Sequence, residues 1–550
     1  MKVKNISKWK WPAAVAILLL VAFMSPGDKY FDIARNLEIF TSLFKEVNAF
    51  YVDEIDPEKT IKVGIDAMLN SLDPYTNYIP AEDMAAYKTM TTGEYGGIGA
   101  YISKLQDKIV ISMPNEGFPA HQAGLKIGDE LLKIDDTEVS GMNTSEVSKL
   151  LKGKPGTPVT LTVKRQDKVL TFELTRAKIV IDNVPYYGMV SENTGYLQLT
   201  EFTTQAAAEV RKALLDLKKQ GATGIILDLR DNPGGILQEA VDICNLFIPK
   251  GQVVVETKGK TPNWNKVYKT VKNPVDTEIP IVVLTNGSSA SAAEIVSGTL
   301  QDYDRAVLLG RKTFGKGLVQ STRPVGYDSQ VKITVAKYYT PSGRCIQAID
   351  YAHRHADGSV DKIPDSLKTA FTTAHGRTVY DGGGITPDIT TEAEYLTPVT
   401  VNLLTNGYFF AYANEYYYRH PQAPDMLTFE VSDKVYEDFI NWLSDKELDY
   451  KTEAERALEE FEQRAREWEH YERIKPQIAA LQQAVVHDPQ RDLRTYEQEI
   501  KDLLGREILA RYYLIKGEVA YSIRHDRDVA EAMQVLSDPT RYKALLQPQN

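Results

Sequence analysis

Two residues of this chain have the types and the spacing for nucleophilic chemistry. They are Ser291 in Asn-Gly-Ser-Ser-Ala-Ser-Ala-Ala-Glu-Ile (286–295) and Lys316 in Thr-Phe-Gly-Lys-Gly-Leu-Val-Gln (313–320). The run before the serine, IPIVVLT (279–285), is short, apolar and β-branched, the pattern of a buried parallel strand. AAEIVSGTLQDY (292–303) after it carries apolar residues at helical spacing. Ser291 therefore falls where a strand hands over to a helix whose first N–H groups are free to face an anion. Ser288, Ser289 and Ser291 suit helix capping equally well, so the serines alone decide nothing.

A serine nucleophile needs a base. Lys316 stands between Gly315 and Gly317, where the backbone can approach closely and the amine can be enclosed. A free lysine, with a pKa of about 10.4, is a poor base at neutral pH. Burial disfavours the ammonium and can lower that value by several units, which makes a general base of it. A serine–lysine pair is one of the serine-nucleophile arrangements. A phosphate contact or a solvated loop charge would be the other uses of Lys316.

With LDLRDNPGG (227–235), these segments resemble the C-terminal processing peptidases, or tail-specific proteases, and the resemblance runs over roughly residues 35–395. It implies Ser291 as nucleophile, Lys316 as base and Gln320 as the residue that positions the lysine. It implies Gly235 and Ala292 as the backbone donors to an oxyanion. The core it implies is a crotonase/Clp-like α/β fold. The strand, turn and helix alternation between 195 and 303 independently reads as an α/β unit with its site at strand ends. Asp228 and Arg230 are read as a structural pair.

EYGGIGAYI (94–102) and SMPNEGFPAHQAGLKIGDELLKIDD (112–136) resemble a PDZ domain. Strands are expected at 109–112, 130–134, 159–164 and 169–174, with a helix at 144–151. Such a domain takes an extended peptide at a sheet edge and its terminal carboxylate in a nest of backbone N–H groups. Gly96, Gly97, Ile98 and Gly99 would form that nest. His121, in the turn that follows, is read as a surface residue.

Five regions result: a signal peptide or short membrane anchor at 1–25, a helical segment at 28–92, the PDZ domain at 93–178, the protease core at 179–395 and a mainly helical extension at 396–550. In the first, four lysines precede the apolar run AAVAILLLVAFM (13–24), which predicts export across a membrane. Phe31, Leu37, Phe40, Leu43 and Val47 recur at helical spacing in the second, which is too small for a core and is expected to pack on another domain or subunit. In the last, residues 433–550 are highly charged, with a partial apolar stripe of Phe461, Trp468 and Tyr471, and read as a solvated or interaction surface.

The bulk composition excludes several classes. A formal net charge of −11 over 550 residues argues against nucleic-acid binding. Two cysteines, Cys244 and Cys345, are too few for a disulfide framework and lack zinc-site spacing, so no metal or other cofactor is expected. The chain is thus expected to be an exported, periplasmic or envelope serine endopeptidase for polypeptides with free apolar C-termini, associating as a dimer or with an adaptor through its helical regions. Two rivals remain at this stage. One is a Ser–His–Asp hydrolase using His353, His355 or His375, although Ser291 lacks a Gly-x-Ser-x-Gly elbow. The other is a non-catalytic PDZ scaffold.

Overall fold

The computed structural model describes residues 27–548 except Ala356 and Glu469. The expected signal or anchor segment lies outside the described residues. The chain divides into two units, one ending at Tyr78 and one beginning at Ile79. Among the described residues no helix is long and apolar enough to cross a membrane.

The first unit holds the helices Gly27–Phe50 and Pro57–Asn70. The second starts on Pro57, which suits the first helical turn, and Asp56 caps it by accepting from the N–H groups of Glu58 and Lys59. Tyr30, Phe31, Leu37, Leu43 and Phe50 of the first helix stand exposed. Among the described residues of this unit's helices, only Leu69 is buried. The pair therefore has no core of its own.

In the second unit, the PDZ-like sheet runs in the order Ala100–Leu105, Lys108–Pro114, Glu130–Ile134, Pro158–Arg165, Lys168–Thr175. Ile109, Ile111, Leu131, Leu161 and Val163 fill its inner face against Val147 and Leu151 of the helix Thr144–Leu151. Asn143 and Glu146 close a capping box on that helix. The chain enters and leaves the domain through an antiparallel pair, Glu94–Gly97 with Ala177–Val180.

The core sheet is ordered Tyr186–Met189, Thr194–Gln198, Gly224–Asp228, Ile281–Thr285, Val307–Gly310, Ile389–Thr390; the first pair is antiparallel and the rest are parallel. All five residues of each central strand are buried, as a sheet covered on both faces requires. Ile225, Leu227, Ile281 and Val283 face the helices Ala206–Lys219, Leu237–Phe247 and Ala292–Asp302. Ile226, Val282, Leu284, Val307 and Leu309 face the other way, onto Val519, Ile523, Val529, Ala532, Val535 and Tyr542.

That second contact takes up the interaction alternative of the reading given for 433–550, and the solvated alternative applies to another part of the tail. The helical hairpin of Glu453–Ala465 and Tyr471–Val485 is solvated, with Phe461 and Trp468 exposed and touching edge to face. The last three helices are not. The helix Glu497–Arg524 breaks at Leu514, where φ is 53° and ψ is −143°. Its first part joins the aromatic cluster of Phe409, Tyr412, Tyr436 and Phe439, and its second part lies on the core sheet. Tyr542 completes the docking by bonding through its hydroxyl to both the N–H (2.9 Å) and the carbonyl (3.1 Å) of Ile281.

Candidate active site

Two parallel neighbours, Gly224–Asp228 and Ile281–Thr285, each end in a turn that leads into a helix. Side-chain amides tie the two turns together. The buried Asn232 accepts from Gly234 N (2.8 Å) and donates to Leu199 O (2.7 Å), while its own carbonyl accepts from Ala290 N (2.9 Å). Asn286 accepts from Asp231 N (3.0 Å) and donates to the Asp231 carboxylate (2.9 Å). A Cβ on Gly234 would stand 2.8 Å from Ser291 Cβ and from Ala292 N, and φ is +95°, so this position needs glycine. Gly235 has φ +150° and sits against Phe202 O, where a Cβ would lie at 2.4 Å.

The three serines separate by role. Ser289 is fully buried; its hydroxyl donates to Leu229 O (2.7 Å) and accepts from Asn286 N (3.0 Å). Ser288 is exposed. Ser291 is partly exposed at the start of the helix with φ 55° and ψ −110°, a strained conformation for a residue with a side chain. Its carbonyl accepts from Glu294 N, Ile295 N and, at 3.1 Å, the hydroxyl of the buried Tyr338. The N–H groups of Ala292 and Gly235 donate none of the hydrogen bonds found among the described residues. Two unspent donors thus belong to the turns on either side of Ser291.

The loop 311–317 lays Lys316 beside this turn. Phe314 N donates to Ser289 O (3.0 Å), and Gly317 N donates to Gln347 Oε1 (2.8 Å). The glycines flanking Lys316 are imposed by packing: a Cβ on Gly315 would stand 2.4 Å from Ala348 Cβ, and one on Gly317 2.8 Å from Gln347 N. Glu294, a residue outside the sequence expectations, joins the two halves. Its Oε2 accepts from Ser291 N (2.8 Å) and Lys316 N (2.9 Å), so these nitrogens lie within about 6 Å of each other. Its Oε1 accepts from Gly315 N (2.7 Å) and Thr313 Oγ1 (2.6 Å). Burial pushes the Glu294 carboxyl up, and these four bonds pull it partway back. Ser-x-x-Glu at a helix start is the capping-box pattern, and that was the signal available for it. Gln320 lies on the strand Leu318–Gly326, opposite Thr334, and donates to Thr334 Oγ1 at 3.3 Å.

Asp228 and Arg230 are paired as expected, with an N–O distance of 2.6 Å. Asp228 also accepts from the Tyr196 hydroxyl (2.7 Å), and Arg230 reaches Asp526 (2.8 Å) at the start of the sheet-covering helix Arg527–Ser537. Burial disfavours the guanidinium charge, but Asp228 and Asp526 more than offset this and push its pKa up.

The histidines lie elsewhere. His353 and His355 are exposed and paired with Asp350 and Asp361. His375 binds Asp304 through its backbone N–H, just past the far end of the helix that Ser291 begins, roughly 16 Å away at 1.5 Å per residue. Cys244 is buried, with its thiol pushed up to about 12 by desolvation, and Cys345 is half-buried. Among the described residues no group of three or more His, Cys, Asp or Glu could hold a metal.

In the PDZ-like domain, Ala100–Leu105 is a sheet edge with one side unpaired. Just before it, the N–H groups of Ile98 and Gly99 donate none of the hydrogen bonds found among the described residues, while their carbonyls accept from Ala120 N and Asn115 N. The glycines here answer to packing. A Cβ on Gly96 would lie 2.0 Å from Gly153 O, one on Gly97 2.8 Å from the Tyr95 ring, and one on Gly99, where φ is +72°, 2.4 Å from Phe118 Cβ.

An α/β core carrying this serine turn, with a peptide-binding type of domain ahead of it, defines the class: a PDZ-containing serine-type protease. Residues 193–352 match the model of Peptidase family S41, 96–175 that of the PDZ domain, and 399–536 that of the "Probable PDZ-protease, C-terminal helical domain". The chain is 38% identical over 321 residues to a carboxy-terminal-processing protease of Bartonella bacilliformis, covering 57% of this chain and 73% of that one. It is 36% identical over 338 residues to a probable CtpA-like serine protease of Staphylococcus aureus, covering 60% and 67%. The photosystem II D1 C-terminal processing protease aligns in structure over 64% of this chain and 92% of its own, at 26% identity and a TM-score of 0.36. The chain belongs to peptidase family S41, among the carboxy-terminal-processing serine proteases.

The serine roles can be separated by stability. Ser289→Ala leaves Asn286 N without its acceptor in the core and leaves Leu229 O only the longer bond from Asn232 N (3.4 Å), and is expected to cost about 1–3 kcal/mol. Ser288→Ala should change stability by less than about 0.5 kcal/mol. Thermal unfolding of the two variants checks this, and equal midpoints would contradict the assignment.

Proposed function

We propose that this protein is an exported endopeptidase that recognises the C-terminal tail of a polypeptide through its PDZ domain and cleaves with a Ser291–Lys316 dyad. The observation that carries the reading is the site's convergence: a strained serine and two unspent N–H groups, on turns bound to the loop that bears Lys316. In this mechanism Lys316 Nζ takes the proton from Ser291 Oγ as the oxygen bonds to the scissile carbonyl carbon. The carbonyl oxygen becomes an oxyanion, held by the N–H groups of Gly235 and Ala292. Collapse of the intermediate breaks the C–N bond, and the proton on Lys316 passes to the leaving amine. Water then attacks the acyl ester, giving its proton to Lys316, and the proton returns to Ser291 as the acid product leaves. Gln320, on the strand that follows the lysine loop, is the residue proposed to orient the amine.

Tail recognition rests on a different pair of features. The unpaired edge Ala100–Leu105 suits strand addition, and the free N–H groups of Ile98 and Gly99 suit a terminal carboxylate. They are two of the four positions expected for the nest; Gly96 and Gly97, on the strand just before them, also meet close packing. The basic and apolar residues 1–24 support export to the cell envelope. The exposed apolar residues of Gly27–Phe50 support association with a second copy of the chain.

Ser291→Ala and Lys316→Ala should each lower kcat by at least about 1000-fold, because the members of such a unit fail together. Both should keep the native circular dichroism spectrum, and Gln320→Ala should lie between them and the wild type. Peptidase assays check this: an active Lys316→Ala beside an inactive His353→Ala or His375→Ala would favour a histidine base. Tail recognition has its own readout. A substrate with a free apolar C-terminus should be cleaved faster than its amidated twin, since amidation removes the charge that strengthens bonds to the nest. Equal rates on free and amidated tails would show that residues 94–180 do not select ends.

A further inference from the structure

The catalytic scheme leaves one buried ionisable group unused. Glu294 is fully inaccessible, and all four of its described partners are donors: Ser291 N, Lys316 N, Gly315 N and Thr313 Oγ1. Such a set calls for a carboxylate, because a proton on either oxygen would displace a donor. A buried anion is costly unless its bonds are satisfied, and here they are. Two of the four donors are the backbone N–H groups of the proposed nucleophile and the proposed base, and both end on the same oxygen. Thr313 extends the tie, since its Oγ1 also accepts from Ile385 N at 2.6 Å.

We infer that Glu294 is the positioning residue of this site, holding Ser291 and Lys316 in register through their backbones; the inference rests on the dyad reading. The two residues come from different parts of the chain, a strand-end turn and a loop 25 positions further on. The bond between Phe314 N and Ser289 O also joins these segments, but it reaches the serine turn two residues before Ser291. The carboxylate also holds Ser291 at positive φ, since its bond to the serine N–H is made in that strained conformation. Releasing it would let the serine relax toward an ordinary helix start and let the lysine loop drift. Displacements of this size cost orders of magnitude in rate while leaving binding at the PDZ domain untouched.

The test uses the full chain and compares Glu294→Gln, Thr313→Val and Thr313→Ser with the wild type. Glu294→Gln puts an NH2 against two of the four donors. It should lower kcat about 100-fold, leave KM within about threefold and leave the affinity for a free-ended tail peptide unchanged. Labelling of Ser291 by a fluorophosphonate probe should slow for the whole population. A smaller labelled fraction reacting at the native rate would mean partial unfolding and would overturn the proposal. A folded Glu294→Gln with kcat within about threefold of the wild type would overturn it as well. Where Glu294→Gln fails to fold, Thr313→Val carries the test, because it removes one of the four bonds to the carboxylate, along with the bond from Ile385 N to the same hydroxyl, and keeps the carboxylate. Its kcat should fall about tenfold and recover to within about twofold in Thr313→Ser, and an unchanged kcat in Thr313→Val overturns the proposal. Ser291→Ala and Lys316→Ala run alongside. Activity surviving in them refutes the dyad itself, whereas their inactivity beside a normal Glu294→Gln refutes only the positioning role.

Discussion

The parallel pairing of Gly224–Asp228 with Ile281–Thr285 is the constraint on which the site depends. Parallel neighbours end on the same side of the sheet, so their outgoing turns meet there. The turn 231–235 then lies against the turn 286–291, close enough that Gly234 cannot carry a side chain, while Gly235 is held against Phe202 O and Ser291 takes a positive φ at a cost. The strain is held by polar side chains. Asn232, Asn286 and Ser289 bond backbone groups from within the turns, and Glu294, on the helix that follows, does so on behalf of two segments at once. Polar side chains here act as scaffolding, and the N–H groups of Gly235 and Ala292 donate none of the hydrogen bonds found among the described residues.

A sheet of this kind needs cover on both faces, and the second cover comes from the far end of the chain. Ile226, Val282, Leu284, Val307 and Leu309 would face water without the helices after Leu514. At roughly 2 kcal/mol per buried aliphatic side chain, that exposure approaches 10 kcal/mol, comparable with the whole stability of an ordinary domain. The C-terminal helices are therefore part of the protease fold. The same extension also meets the PDZ domain: Lys126 Nζ bonds the Tyr417 hydroxyl (2.5 Å), Lys516 pairs with Glu116, and Leu105 abuts Gly407. One helical body thus touches both the sheet that carries the serine and the end of the strand that offers its edge to a peptide.

Much of this was legible in the sequence, for reasons that differ by region. The strands 224–228 and 281–285 announced themselves because burial on both faces demands unbroken apolar runs. The serine and lysine turns were legible because strained backbone and close approach leave glycines and small residues behind. The reasons for individual glycines were not. Gly96 meets Gly153, 57 positions away, and such a contact leaves no local pattern, while Gly97 meets the ring of its near neighbour Tyr95. Glu294 was visible only as a capping residue, since its bonds to Gly315 and Lys316 span 21 and 22 positions. The tail was legible as a solvated face or an interaction helix, and its helices divide between the two: the hairpin of 453–485 is solvated and the last helices dock. The residues that cover the sheet, such as Val529, Ala532 and Val535, form a short apolar stripe at ordinary helical spacing. A stripe of that kind shows that a partner exists without showing which.

The most direct measurement of the central claim is a crystal structure of the protein with a peptide boronic acid bound at the site. The account predicts boron bonded to Ser291 Oγ, one boronate oxygen about 3 Å from both Gly235 N and Ala292 N, and Lys316 Nζ within hydrogen-bond reach of Ser291 Oγ. Boron on another residue, or an oxygen turned away from both N–H groups toward solvent or a histidine, would contradict it.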